Sequence, residues 1–323
     1  MKHVFVFDPK AFFNQQWKMD GILDHIGQYF RTQEKPDWSI QFSRYRREAI
    51  GIINDEMEKA TPGDTVRVYA IGGEEILFDC LNAVAHFPNM ELAIVPHGES
   101  DDFLNIFGEG KAELFRDIPT IVQGQAIPTD VIKWGVNFAL NSCYIGLNSA
   151  IAAKVRELKS RMNKGSFFLF SRLSGFISNF LTSFDKQIAA QEYKITIDDH
   201  DYSGHYSLIH IANGPFHMGR MTGSSDATPN DGMLDIALIK SSHPLKTMLS
   251  IRKYSRGKRP KNGVYLQAKK VSVRSDRHMW VQLDNEYIQD THINLNVVHQ
   301  AVNVVTVDNL SYPLAMIAGE DDD

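Results

Sequence analysis

Residues 65–95, TVRVYAIGGEEILFDCLNAVAHFPNMELAIV, decide the fold class. Thr65 to Ile71 is rich in β-branched and aromatic residues, Gly72-Gly73 stops it, Glu74 to His86 has a helical pattern, and Glu91 to Val95 is again β-like. Strand, glycine turn, helix and strand in that order predict a parallel sheet covered by helices. The same alternation holds upstream. His3 to Phe7 (HVFVF) reads as a strand closed by Asp8-Pro9, and Gly21 to Phe30 sets Ile22, Leu23, Ile26 and Phe30 at helical spacing. Trp38 to Phe42 is a strand, and Arg46 to Ala60 is a charged amphipathic helix carrying Ile50, Ile53 and Met57 on one face.

Downstream of Pro128 the rhythm changes. Asp130–Leu147, Tyr193–Asp199, Tyr206–Ala212, Met233–Lys240, Val264–Val273, Met279–Ile288 and His292–Val307 are β-rich, interrupted by helical patterns at Leu147–Ser160 and Ser166–Phe184. The expected architecture is an α/β domain over residues 1–127, with a parallel-type sheet and flanking helices. A mainly antiparallel β-sandwich over residues 128–323 follows, ending in the acidic tail GEDDD.

Composition agrees with this division. The 323 residues are about twice the ~150 of one domain. Hydrophobic residues make up 43% and charged residues 23%, enough to build a core. A net charge of −5 argues against a dedicated nucleic-acid binder. Cys80 and Cys143 are too few for a disulfide framework, which points to a reduced, cytoplasmic setting. The most apolar stretch, Gly165 to Phe184, is broken by Arg172 and several Ser and Gly, so no transmembrane segment is expected. MKHVFVFDPK has no signal-peptide core. A homo-oligomer is left open.

Ligands of open α/β sheets gather where strand ends meet helix starts. Two such places are Gly72-Gly73-Glu74-Glu75 and Pro96-His97-Gly98-Glu99-Ser100-Asp101-Asp102. Glycines there let backbone amides approach an anion, although a lone Gly-Gly often only makes a turn. Other polar residues read blandly from spacing alone. Asn230-Asp231-Gly232 is a hairpin turn, Asp130 with Lys133 a solvated strand edge, His97 a solvated loop histidine, His210 a satisfied core histidine, and Cys143 a small buried hydrophobe. No metal-binding spacing links the histidines and cysteines.

Taken in order, Asp8-Pro9-Lys10-Ala11, Ser43 six residues before Ala49, Gly72-Gly73-Glu74-Glu75-Ile76, Pro96 to Phe103, Asn230 to Ile236, and Asp284-Asn285-Glu286 form a spaced set of landmarks. The set resembles the diacylglycerol kinase and bacterial lipid kinase family, with its DAGK-type catalytic domain, across nearly the whole chain. The resemblance implies two lobes with chemistry in the cleft between them. ATP would bind near Pro9, Ser43, Gly72, Gly73, Glu74, Gly98 and Glu99, and its γ-phosphoryl group would pass to a lipid hydroxyl. Glu286 would be the base, and Asp231 with the carbonyls of Thr228 and Met233 would hold Mg²⁺. Asp130 occupies the place of a family aspartate that joins a charge network.

The nucleotide loops depart from the family pattern. Glu75 stands for Gly, Ile76 for Thr, Glu99 for Thr, and Asp101 for Asn. Two added carboxylates near a triphosphate weaken ATP binding. The alternative expectation is therefore a catalytically impaired, pseudokinase-like member that binds a ligand or lipid without transfer. Arg252 to Lys261 carries six positive charges in ten residues. It reads either as a solvated helix end and loop or as a contact for anionic headgroups, placing the chain at the membrane periphery near a lipid substrate. The aromatic stretch Ser166–Phe184 reads as a core or interface helix, with a lipid-entrance helix as the second reading.

Overall fold

A computed structural model describes residues 1–34, 36–97, 102–146, 149–150, 191–216, 223–224, 226–284 and 286–313. The expected helices at 147–160 and 166–184 therefore fall almost wholly outside the described residues.

The first lobe alternates β1 (Lys2–Phe7), α1 (Gln16–Arg31), β2 (Asp37–Phe42), α2 (Glu48–Glu58), β3 (Val66–Gly72), α3 (Glu74–Val84) and β4 (Met90–Pro96). These strands lie in the order β2–β1–β3–β4, each neighbouring pair parallel. β1 and β3 are buried almost end to end, as strands must be when helices cover both faces. Phe5 of β1 stacks on Tyr69 of β3 with ring centroids 4.1 Å apart. Two 3₁₀ turns, Phe103–Phe107 and Lys111–Arg116, lead into α4 (Ile118–Gln123). Asp117 caps α4 by accepting from Thr120 N.

β5 (Gln125–Trp134), β6 (Asn137–Ala139), β7 (Ser142–Gly146), β8 (Glu192–Ile197), β9 (His200–Asp201), β10 (Gly204–Ala212) and β11 (Leu234–Lys240) follow. Next come α5 (Pro244–Tyr254), β12 (Gly263–Ala268), β13 (Lys270–Leu283) and β14 (Glu286–Thr306). Their mutual pairings are antiparallel. β8 pairs along β13 and also touches β10 at Gly204↔Tyr193, so the strands curl around a second core of Ile145, Ile195, Ile209, Ile236 and Val281. The chain thus has two domains, the second β-rich.

One hydrogen-bonded path runs through both lobes, because β14 pairs antiparallel with β13 and β5 and then lies parallel to β4 at Asn303↔Glu91 and Val304↔Leu92. Val302, Val304, Val305, Val307 and Tyr312 belong to the first lobe's core. The chain therefore returns across the division read at residue 127.

Three further differences have local causes. Asp130–Leu147 is three strands, broken at Gly135 (φ +56°) and again where Leu140, Asn141 and Ser142 donate their amides to Asp284. Met279–Ile288 is two strands, because Asp284 takes a left-handed φ of 48° and turns the chain. α5 escaped the sequence pattern because its protein-facing side buries Thr247 and Ser250 rather than aliphatic residues.

Candidate active site

The parallel register brings four loops together. Phe7 lies opposite both Phe42 and Ile71, and Gly72 lies opposite Pro96, so the residues just beyond these strand ends share one edge. Backbone bonds extend the ladder past the strands: Asp8 N to Ile71 O at 2.9 Å, Ser43 N to Phe7 O at 2.8 Å and His97 N to Gly72 O at 2.8 Å. Pro9 begins the 3₁₀ turn Pro9–Phe12, whose first amides are capped by Asp8 through Lys10 N at 2.9 Å. Gly72 has no room for a side chain. Its φ is +152°, and a Cβ would sit 2.9 Å from Asp8 Cβ and 3.0 Å from Ile76 Cγ2. Gly73 caps α3 with no side-chain hydrogen bond, and Glu74 and Glu75 form the first helical turn.

A shallow, open cleft lies on this edge. Asp8, Glu75 and Asp79 give its lining three carboxylates against Lys10 and Arg46, with Ser43, Tyr45 and Ile76 between. Burial raises the Asp8 carboxyl above its ordinary value, and Glu75 adds to the rise against the opposing pull of Lys10. Burial likewise raises Asp79, with Glu75 again contributing. Asp79 is held in place by Arg47, whose backbone amide donates at 2.6 Å and whose guanidinium lies 3.8 Å away and over the Phe78 ring.

Glu286 arrives from the other lobe. It is the first residue of β14, is nearly buried, and receives a hydrogen bond from Arg46 Nη2 on its Oε2. The hairpin that delivers it is fixed by Asp284, which accepts from Leu140, Asn141 and Ser142 amides at 2.7, 3.0 and 2.9 Å. Burial still pushes the Asp284 carboxyl up to about 6. Arg46 thus ties the cleft to Glu286, while Arg47 bridges Asp79 of α3 and, through Nη2 at 3.3 Å, Asn137 Oδ1 of β6 in the second lobe.

Thr228, Asp231 and Met233 do not line this cleft. They cluster around Asp130, and here the solvated-edge reading fails: Asp130 is fully buried. Its carboxylate accepts from Gly232 N, Gln300 N and His299 Nδ1, each at 2.7 Å, and its amide donates to Pro229 O at 2.8 Å. Asp231 Oδ1 accepts from Met233 N at 2.9 Å, while burial, then the nearby Asp130, raises its carboxyl. Asp130's oxygens are taken by the Gly232, Gln300 and His299 N–H groups, so a hard divalent cation here would rely on the Asp231 carboxylate and the carbonyls of its turn. Among the described residues no three ligating side chains form a ready-made metal cage.

Gly98, Glu99, Asp101 and Asn285 lie outside the described residues. His97 is not solvated. Its ring centroid lies 4.7 Å from that of Phe12, and burial, aided by Arg116 and Lys18, lowers it to about 4. His210 is a core residue, its Nδ1 2.6 Å from Tyr254 Oη and its ring stacked 4.0 Å from Tyr144. Cys80 and Cys143 are buried, and burial raises both thiols, so neither suits a nucleophile. Sequence reasoning missed Arg46, Arg47, Asp79 and His299. The first two stand in the dense basic run SRYRRE, the one signal that pointed to them.

Residues 141–306, about half of the chain, match the family model described as the YegS C-terminal NAD kinase beta sandwich-like domain. The chain is 28% identical over 279 residues to a candidate lipid kinase of Staphylococcus aureus strain JH9, covering 84% of this chain and 87% of that protein. A candidate diacylglycerol kinase of Bacillus anthracis strain Sterne superposes with a TM-score of 0.71 at 21% identity, covering 96% of this chain and 98% of that one. A further Bacillus anthracis diacylglycerol kinase structure gives 0.67 at 18% identity over the same shares. At such identities the two structures speak for the fold.

Proposed function

The chain belongs to the DAGK-type lipid kinase family, and from that premise we propose that it transfers the γ-phosphoryl group of ATP to the hydroxyl of a diacylglycerol-like lipid. The names of its relatives, a candidate lipid kinase and a candidate diacylglycerol kinase, support the reaction class. The observation that carries the reading is Glu286, brought by β14 from the second lobe to Arg46 at the first lobe's cleft.

The fit to a nucleotide is split between backbone and charge. The side-chain-free Gly72 lets the turn before α3 come close to phosphate oxygens. Asp8, Glu75 and Asp79 repel them, so the cleft fits a polyphosphate accompanied by Mg²⁺ rather than a bare one. When bound, ATP with its cation supplies the phosphoryl group and neutralises the charge that develops on it.

The chain's own residues do the rest. Pro9, Ser43, Gly72, Gly73 and Glu74 frame the nucleotide side, and Lys10 supplies a cation at its rim; Gly98 and Glu99 complete that frame in the proposal. Glu286 takes the proton of the acceptor hydroxyl on a carboxylate oxygen. Arg46, by holding Oε2, fixes the plane of that carboxylate before substrate arrives. Asp284 acts one step back, pinning the hairpin so that Glu286 has few alternative positions. Thr228, Asp231 and Met233 would hold a second Mg²⁺ away from the reacting atoms, relieving the Asp130–Asp231 repulsion.

The test is phosphate transfer from labelled ATP to diacylglycerol, sphingoid bases and other lipid alcohols in mixed micelles. The wild type labels at least one. Glu286→Gln lowers kcat by about 10²–10⁴, the range for a lost general base, with an unchanged melting temperature. No labelled lipid, or a Glu286→Gln variant within about threefold of wild type, overturns the proposal.

A further inference from the structure

We infer that α5 and the basic loop after it form a docking surface for an anionic lipid bilayer, a role that stands apart from the phosphoryl-transfer reading. The helix faces the wrong way for an ordinary core helix. Thr247, Ser250 and Tyr254 are buried against the protein, with Thr247 Oγ1 donating to Ser242 O at 3.2 Å and Ser250 Oγ to Asn262 Oδ1 at 2.9 Å. Leu245 and Leu249, one turn apart, stand 57% and 54% exposed. A helix that buries hydroxyls and leaves leucines in water directs its apolar side at something outside the fold.

Charge says what that is. Arg252 continues the leucine stripe, Lys246 and Lys253 flank it, and all three are exposed. Gly257, at φ +72°, then turns the chain into the exposed Lys258, Arg259 and Lys261. From Ile236 to Ser275 the sequence holds eleven Lys and Arg and no Asp or Glu, inside a chain of net charge −5. Among the described residues Arg259 is the one of these cations in an ion pair, with Asp226 at 2.7 Å. A second copy of the same face would be repelled by these charges. An acidic soluble partner would have to add an apolar pocket shaped to the two leucines. An anionic bilayer takes both, leucines at the acyl boundary and cations among the headgroups, each cation strengthening partitioning about fivefold.

The experiment is sedimentation of the full chain with sucrose-loaded vesicles of phosphatidylcholine alone and of phosphatidylcholine with phosphatidylglycerol at about 7:3. Neither vesicle contains diacylglycerol and no nucleotide is added, so a negative result here leaves phosphoryl transfer untouched. The wild type is expected to partition onto the anionic vesicles about 30-fold more strongly, six cations being partly engaged. Leu245→Ser with Leu249→Ser lowers that about tenfold, and Arg252→Glu with Lys253→Glu abolishes the preference for phosphatidylglycerol. All four positions are exposed, and unchanged melting curves confirm folding. Equal partitioning onto both vesicles overturns the inference, as do variants that bind like wild type. So does a dimer that the leucine variant splits, by light scattering, while vesicle binding stays the same.

Discussion

Replacing Glu75 by Gln removes one negative charge from a cleft lined by Asp8 and Asp79 and keeps the shape of the side chain. Glu75 already shows its influence in the structure, since it helps to raise both of those carboxyls. For a carboxylate about 7 Å from a phosphate oxygen, an effective dielectric near 20 gives about 2.4 kcal/mol of repulsion. Salt and the bound cation roughly halve this, leaving ~1.2 kcal/mol, or about sevenfold in Kd. A second effect runs the other way on stability alone: an acid in the first turn of α3 favours the helix dipole by about 0.3–1 kcal/mol. Glu75→Gln should therefore bind ATP–Mg²⁺ several-fold more tightly while melting slightly earlier. Titration calorimetry at 0.15 M and 0.5 M salt reads both the gain and its screening. An unchanged or weaker Kd, or a gain that salt does not shrink, would refute the electrostatic argument.

Other perturbations probe the frame around the cleft. Glu56 accepts from Lys2, Ser39, Gln41 and Lys59, all near 3.0 Å, and is almost wholly buried with Lys2. Glu56→Gln leaves Lys2 as a buried, unpaired cation and should cost about 3–5 kcal/mol in urea unfolding. Gly124→Ala puts a Cβ 2.2 Å from Thr306 O, backbone against backbone, and should cost at least about 3 kcal/mol by the same measurement. Acid stability follows from opposed shifts. Burial lowers His3 and His97 to about 4, so as pH falls from 6.5 towards 4 the unfolded chain takes up protons first and stability is lost. Burial raises Asp235 and Asp284 to about 6, so between pH 6 and 3.8 the folded chain holds more protons and stability is regained. Burial would also raise Glu56, but hydrogen bonds from Lys2, Lys59 and Ser39 bring it to about 2, so its contribution is present above pH 4.5 and lost towards pH 2. The melting temperature should vary little from pH 6 to 4 and fall below that. A steep fall between pH 6 and 5 would contradict these assignments.

What could be read in advance was what local pattern carries. β1, β3 and β4 announce themselves because strands buried on both faces are continuous runs of Val, Ile, Phe and Tyr, closed by Asp8-Pro9, Gly72 and Pro96-His97. The loops holding Ser43, Gly72 and Gly73 follow from those strand ends. Interactions between distant residues left no such trace. The break at Leu140–Ser142 is imposed by Asp284, more than 140 positions away. Arg46 reaches Glu286 across 240 positions. Asp130 looked like an edge residue because its shielding comes from the Pro229–Gly232 turn and the β14 bulge at His299–Gln300, neither adjacent in sequence. α5 was hidden because its inward side rests on Thr247, Ser250 and Tyr254 while Leu245 and Leu249 stay outside among cations, so no aliphatic stripe marks the buried face.

β14 has a practical consequence for anyone dividing the molecule. Its 21 residues begin at Glu286 and end at Thr306, where its side chains fill the interior beneath β4. A fragment cut after residue 127 would keep β4 with a bare edge and lose Val304, Val305 and Tyr312 from its interior, exposing a row of unpaired amides and carbonyls. Expressed alone it should aggregate. A stable excised piece would have to carry the terminal segment with it, spliced or supplied as a peptide.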